Sequence, residues 1–243
     1  MTRTLSTAVR VLRQLRHDPR TVALILGVPA LLMTLFRFVY EHQHAAFERS
    51  GPALMVLFPL VTMFLVSSVA LLRERTTGTL ERLMTTPISR FALLGGYGLA
   101  FTLLALAQAA VVSSLSLAAL GLSLMGSTAL VVTLAAAVAL LGLGLGLLAS
   151  AFARSEFQVV QFFPAAILPQ LLLCGLLVPR ARMGALLSAI SDALPMSYAI
   201  DGVRHLAVER GASGGALGDL AIVLAYAVGA IMLGALTLGR RSE

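Results

Sequence analysis

Charge is scarce in this chain of 243 residues: 18 Lys+Arg and 11 Asp+Glu make up 12% of it, about half the roughly 25% of a soluble globular domain. Hydrophobic residues reach 58%, a composition that argues against a water-soluble single domain. Lysine is missing altogether, so all 18 positive charges are arginines. A phosphate-binding loop of the form G-x-x-x-x-G-K-[ST] therefore cannot exist here. The one cysteine, Cys174, excludes an intrachain disulfide and a cysteine-rich zinc site. It lies in an apolar run and reads as an inert thiol buried in the membrane.

Charges are absent from residues 21 to 36, 50 to 72, 91 to 153, 157 to 179 and 220 to 239, and a membrane span needs about 20 residues that tolerate hydrocarbon. The third run is too long for one helix and divides at Gly121, Ser123, Gly126 and Ser127, small residues that mark a turn. The result is six spans, near Thr21 to Tyr40, Pro52 to Leu72, Phe91 to Leu120, Thr128 to Phe152, Phe157 to Val178 and Leu217 to Leu238. They are expected to be helices, because continuous apolar runs lack the alternation of a membrane barrel strand. The first run continues to Tyr40 without a small-residue cleavage site, so it reads as an uncleaved span rather than a signal peptide.

Arginine placement sets the expected orientation, since cytoplasmic loops retain positive charge. Arg3, Arg10, Arg13, Arg16, Arg20, Arg73, Arg75, Arg82, Arg90, Arg154, Arg240 and Arg241 fall on one side; Arg37, Arg49, Arg180, Arg182, Arg204 and Arg210 fall on the other. Both termini are thereby assigned to the cytoplasm. The acidic residues cancel the outer six and leave the whole net charge of +7 on the inner side. Topology and anionic inner-leaflet lipid account for that charge, so nucleic acid is not an expected partner.

Residues 1–20 form a separate N-terminal unit, with the six-helix domain over 21–243. At 100° per residue Leu5, Ala8, Val9, Leu12 and Leu15 gather opposite Arg3, Arg10, Arg13 and Arg20. This is the pattern of an amphipathic helix lying in the membrane interface, ended by Pro19; the alternative is a frayed basic tail.

The loop after span 2 reads LLRERTTGTLERLMTTPISRFALLGGY from Leu71 to Tyr97. Gly78 can end the span, Thr79 can cap a new helix, and Glu81 in its first turn suits the helix dipole. Pro87 disfavours helical geometry at Thr86. The product is a two-turn helix held like a lever between two spans.

In this loop the chain resembles the permease subunits of the ABC-2 family of ATP-binding-cassette transporters, on Arg73, Glu74, Arg75, Gly78, Thr79, Glu81, Leu83 and Pro87. A second match is LPMSYAIDGVRHL, in which Pro195, Tyr198, Asp201 and Arg204 fit the family's segment after span 5. The resemblance implies an all-α integral membrane protein with six transmembrane helices, an N-terminal amphipathic helix, a cytoplasmic coupling helix and short extracellular re-entrant helices between spans 5 and 6. Thr79, Leu80, Glu81, Arg82, Leu83, Met84 and Pro87 would then form the surface that meets the ATPase, with Arg73, Glu74, Arg75 and Gly78 as the hinge at the base of span 2.

The same resemblance implies a non-catalytic subunit of an exporter in a prokaryotic cell membrane, moving a drug-like, lipid or glycolipid substrate. It would work with two ATPase subunits that hold ATP and Mg, and with a second permease, identical or related. No cofactor is expected on this chain. The rival from another class is a self-sufficient channel or secondary transporter, which predicts paired ionisable groups within the membrane or internal repeats; neither is present in the sequence.

Other patterns fail their context. Gly144-x-Gly146-x-x-Ala149 imitates a dinucleotide fingerprint but lies inside span 4, where Gly142 and Gly146 give a G-x-x-x-G packing face instead. His42 and His44 lack a carboxylate cluster, so no metal site is expected. Ser113, Ser114 and Ser116 lack an activating histidine and acid. Asp201 can pair with Arg204 at i,i+3 and with His205 at i,i+4, a local structural role. Gln108, Gln161 and Gln170 are polar within spans and are candidates for a substrate path or, equally, for hydrogen-bonding glue between helices. Pro164 and Pro169 invite a kink in span 5, which can line a cavity or a dimer seam.

Overall fold

The computed structural model describes residues 2–76, 90–208, 211 and 214–240. The residues of the proposed coupling helix, Thr79 to Pro87, and Gly78 lie outside the described residues. The described chain is helical apart from short turns and one isolated parallel bridge between Gly126 and Gly211. Its elements are α1 (Thr2–Arg16), α2 (Pro19–Val39), α3 (His44–Thr76), α4 (Arg90–Ser114), α5 (Thr128–Phe152), α6 (Glu156–Leu173), α7 (Ala185–Asp192), α8 (Pro195–Val208) and α9 (Gly214–Arg240). Six of them, α2, α3, α4, α5, α6 and α9, are long and apolar enough to cross a membrane, and they are spans 1 to 6 in order.

The boundaries of span 4 coincide with expectation, and two others are corrected. Span 2 starts at His44 rather than Pro52, because the helix continues past the apolar run through Arg49 and Glu48, with Pro52 in its interior; at 1.5 Å per residue α3 is about 50 Å long and outruns the roughly 30 Å of bilayer hydrocarbon. Span 5 stops at Leu173 rather than Val178: Gly175, at φ +86°, turns the backbone into a region closed to most side chains. Span 3 ends in a π-helical turn at Leu115–Ala119, and Gly121 (φ +70°) then breaks the chain where the turn was expected.

Helix α5 is the central post. Small residues let it approach its neighbours, the way helices pack where lipid removes any hydrophobic drive between them. A Cβ on Gly146 would lie 2.6 Å from the Phe64 carbonyl, and one on Gly142 would collide with the Leu60 carbonyl, so this face seats on α3. Gly144 turns the other way, 2.8 Å from the Ala230 Cβ on α9 by the same construction. The largest core cluster gathers Leu60 and Phe64 of α3, Leu134 and Leu141 of α5, Ile200 of α8 and Val223 of α9.

Helix α1 lies across the start of α4. A Cβ on Gly96 would meet the Thr4 carbonyl at 2.9 Å, so the Gly95-Gly96 pair is the notch that α1 occupies. The apolar face expected on α1 divides in two: Ala8 and Val11 are buried and Leu12 and Leu15 pack beside Tyr97 and Phe101, while Leu5 and Val9 are exposed. Asp18 then caps α2, accepting from the Thr21 N–H at 3.2 Å and the Thr21 hydroxyl at 2.5 Å. The Thr21 hydroxyl, helped by its backbone N–H, holds the Asp18 carboxyl below its usual pKa.

Candidate functional site: the two ends of the bundle

The antiparallel spans give the bundle two unlike ends. One carries α1, the last turn of α3 and the first turn of α6, and is the basic end. The other carries α7 and α8, and is the hairpin end.

At the basic end the base of span 2 is tied to two other spans. Arg73 meets Glu156, the first residue of α6, in a two-pronged contact: Nε donates to Oε1 at 2.6 Å and Nη2 to Oε2 at 3.0 Å. Ser155 caps α6, accepting from the Gln158 N–H at 3.2 Å, which aims Glu156 toward α3. On the other side, Arg10 Nη2 donates to the Tyr97 hydroxyl at 2.9 Å, and Tyr97 lines the same cavity as Glu74. Glu74 Oε2 is buried without a partner of its own. These groups wall a cavity of about 370 Å³ beneath α1, between Asp18, Arg73, Glu74 and Tyr97. Two of the hinge residues read from the sequence, Arg73 and Glu74, are thus brought together with Arg10, Tyr97 and Glu156, which sequence reasoning missed. The backbone of Arg75 continues α3.

At the hairpin end Arg180 is the hub, binding both Asp192 and Asp201. Its partial burial works against the charge, but the two carboxylates outweigh that effect and raise its pKa above the usual arginine value. Asp201 also pairs with Arg204 at 3.7 Å, the i,i+3 contact expected. The i,i+4 contact with His205 is replaced: His205 Nδ1 lies 3.1 Å from Asp219 Oδ2 on α9, because Arg180 already occupies Asp201. Tyr198 donates to the Asp192 carbonyl at 2.7 Å, and Tyr226 of α9 to the Ala193 carbonyl at 3.0 Å. Pro195 opens α8 at its first position, where a missing N–H costs nothing. All four motif residues therefore lie on α8, and Tyr198 and Asp201 tie that helix to α7 and to Arg180. Beside it is a vestibule of about 860 Å³, edged by Glu48, Arg49 and Arg204.

The three glutamines take different places. Gln108 is buried and its Nε2 donates to the Ile25 carbonyl at 2.8 Å, joining span 3 to span 1. Gln161 is on the exposed face of α6. Gln170 is buried, with Nε2 on the Ala166 carbonyl at 3.0 Å and Oε1 unpartnered, at the edge of an apolar groove. His42 and His44 are exposed, and among the described residues no three His, Cys, Asp or Glu side chains gather as metal ligands would.

A comparison with curated proteins found no match. A family model described as ABC-2 type transporter matches residues 3–208, a stretch that takes in α1, spans 1 to 5, the loop after span 2 and both hairpin helices. The chain belongs to the ABC-2 type transporter family and is a multi-pass membrane permease of an ABC-type transport system.

Proposed function

We propose that the chain is the permease subunit of an exporter in a prokaryotic plasma membrane, with the basic end and both termini in the cytoplasm. Two separate ATPase subunits holding Mg and ATP dock on the segment Thr79 to Pro87, where Glu81 and Arg82 offer charged contacts. Closure of the ATPases on ATP pushes that segment, and Arg73, Glu74, Arg75 and Gly78 form the hinge through which spans 2 and 3 move. The observation that carries this reading is the family match, which spans the whole loop between α3 and α4.

The geometry of the basic end supports such a hinge. A push on the base of α3 reaches α6 through Arg73 and Glu156, and bears on α4 and α1 where Glu74 lines one cavity with the Tyr97 that Arg10 holds. A second permease, identical or related, covers the exposed face of α6, where Phe157, Val160, Gln161 and Leu168 are left bare. A glutamine amide facing hydrocarbon is costly, so Gln161 belongs at that seam, and the pathway lies there. The cargo is drug-like, lipid or glycolipid, carried by a chain that itself performs no covalent chemistry.

A mild-detergent capture of the tagged chain from its host, with mass spectrometry of stoichiometric partners, tests this. The expected partner is an ATPase with a phosphate-binding loop, and Glu81→Arg weakens its recovery. If no ATPase is recovered while the chain alone moves solute or ions in liposomes, the channel or secondary-transporter reading replaces this one.

A further inference from the structure

Helices α8 and α9 meet through a reciprocal pair of notches. On α8, Gly202 makes room for Asp219 of α9: a Cβ there would lie 3.2 Å from the Asp219 Cβ. On α9, Gly215 makes room for His205 of α8, whose Nδ1 would be 2.7 Å from an added Cβ. Each helix thus receives the ionisable side chain of the other, and the two end groups meet, with His205 Nδ1 3.1 Å from Asp219 Oδ2. Both atoms are closed to solvent, and neither hydrogen-bonds elsewhere.

Asp219 needs a counter-charge. Its side chain is only 13% exposed, near the start of span 6, where an ionised carboxylate is costly unless paired. The other charged groups of this end are already committed or stand further off. Arg180, from the loop before α7, binds Asp192 on α7 and Asp201 on α8; Arg180 and Asp201 act on Asp219 from a distance with opposite signs. Arg204 on α8 faces Asp201 and donates to the Gly175 carbonyl. On α3, Glu48 accepts from Ser123, and Arg49 lines the vestibule with Arg204. Helix α5 carries no ionisable side chain, and Glu209 and Arg210 lie outside the described residues. Among the described residues His205 is therefore the one cation within ion-pair distance of Asp219, and it is a cation only when protonated.

We propose that the α8–α9 joint is a pH-sensitive latch: protonated His205 clamps Asp219 and holds the hairpin on span 6, and loss of the proton releases the clamp. An imidazole changes charge between about pH 5 and 8, so the ion pair contributes fully at the acid end of that range and is lost as pH rises through it. Because each side chain is seated in a notch of the opposite helix, the unbalanced carboxylate is relieved by parting the helices rather than by swinging a side chain aside. With the hairpin end outside the cell, acid outside fastens the outer end of the pathway and alkali loosens it. That consequence rests on the orientation proposed above, whereas the latch itself needs neither orientation nor ATPase.

The test is thermal unfolding of the full chain in nanodiscs of zwitterionic lipid, without ATPase, at about pH 5.5 and about pH 8, on either side of most of the imidazole range. The wild type is expected to melt about 3 °C above His205→Gln at the acid pH, the scale of one ion pair in a chain of this size, and the gap is expected to close at the alkaline pH. Asp219→Asn, close in shape, flattens the pH response in the same way. His17, His42 and His44 are exposed and present in every variant, so they cancel in the comparison. An equal gap between wild type and His205→Gln at both pH values overturns the proposal, as does a wild-type pH response retained by Asp219→Asn; if His205→Gln does not fold, the second comparison decides alone. A failed latch with the ATPase still captured sinks the latch alone, and a working latch without ATPase capture sinks the transport class alone.

Discussion

Gln108 on span 3 completes a hydrogen bond that Pro29 removes from span 1. Its Nε2 lies 2.8 Å from the carbonyl of Ile25, the residue four before Pro29, whose missing N–H is the normal partner of that oxygen. The proline creates an orphan acceptor in the bilayer, and a glutamine on the neighbouring helix satisfies it.

The two residues should therefore be energetically coupled. Gln108→Leu is expected to cost about 1 kcal/mol, in the range of interhelical hydrogen bonds in membranes. In a Pro29→Ala background, where the helix regains its own donor, the same change should cost little. Thermal unfolding of the four members of the cycle in detergent measures this, and equal costs in both backgrounds would refute the coupling.

Glycines on α5 differ from glycines with open space around them. Gly146→Ala is expected to destabilise the protein by about 1–3 kcal/mol, since the new methyl group meets α3 backbone that cannot withdraw. Gly98→Ala and Gly229→Ala, with nothing within 4 Å of the added carbon, should be neutral or stabilising by up to about 1 kcal/mol. Detergent melting temperatures rank the three variants.

The single cysteine reports on the hairpin end. Cys174 is buried directly before Gly175, whose carbonyl accepts from Arg204 Nη2 at 2.6 Å. Arg204→Ala releases that turn and should speed alkylation of Cys174 by a membrane-permeant maleimide roughly tenfold, the scale of a lost charge-assisted hydrogen bond. An unchanged rate would mean that Arg204 does not hold the turn.

The Arg73–Glu156 contact is exposed on both sides, so its removal should change stability by less than about 1 kcal/mol. In the proposed mechanism its role is transmission. Arg73→Glu is expected to lower ATP hydrolysis by the captured complex while leaving the melting temperature in place, and Glu156→Arg added to it should restore the rate. Loss of ATPase activity that the exchanged pair fails to recover would point away from this contact.

Much of this was legible in the sequence, and what was not has physical reasons. The charge-free runs gave six spans because hydrocarbon excludes charge at every position of a lipid-facing or core helix, and Gly142 and Gly146 announced their packing face by spacing alone. The start of span 2 was misplaced because the charge-free run begins only after Arg49, whereas the helix runs on through Arg49 and Glu48 to His44. The partner of His205 was misassigned because i,i+4 spacing makes Asp201 a candidate but cannot show that Arg180, far along the chain, has taken it. Tyr97, Arg10 and Glu156 went unremarked at the basic end, since nothing local links them; the only signal for the Gln108 role was a proline in span 1 needing a donor from elsewhere.

The central claim is that a separate ATPase drives this permease through the loop between spans 2 and 3. Site-specific photo-crosslinking tests it most directly, with a photoreactive phenylalanine analogue in place of Glu81 in the full chain, irradiated in native membranes. The account predicts a crosslinked product containing an ATPase subunit, and none from the same analogue in place of Leu186 at the hairpin end. Crosslinks from position 81 that reach only lipid or this chain, with an ATPase absent, would contradict it.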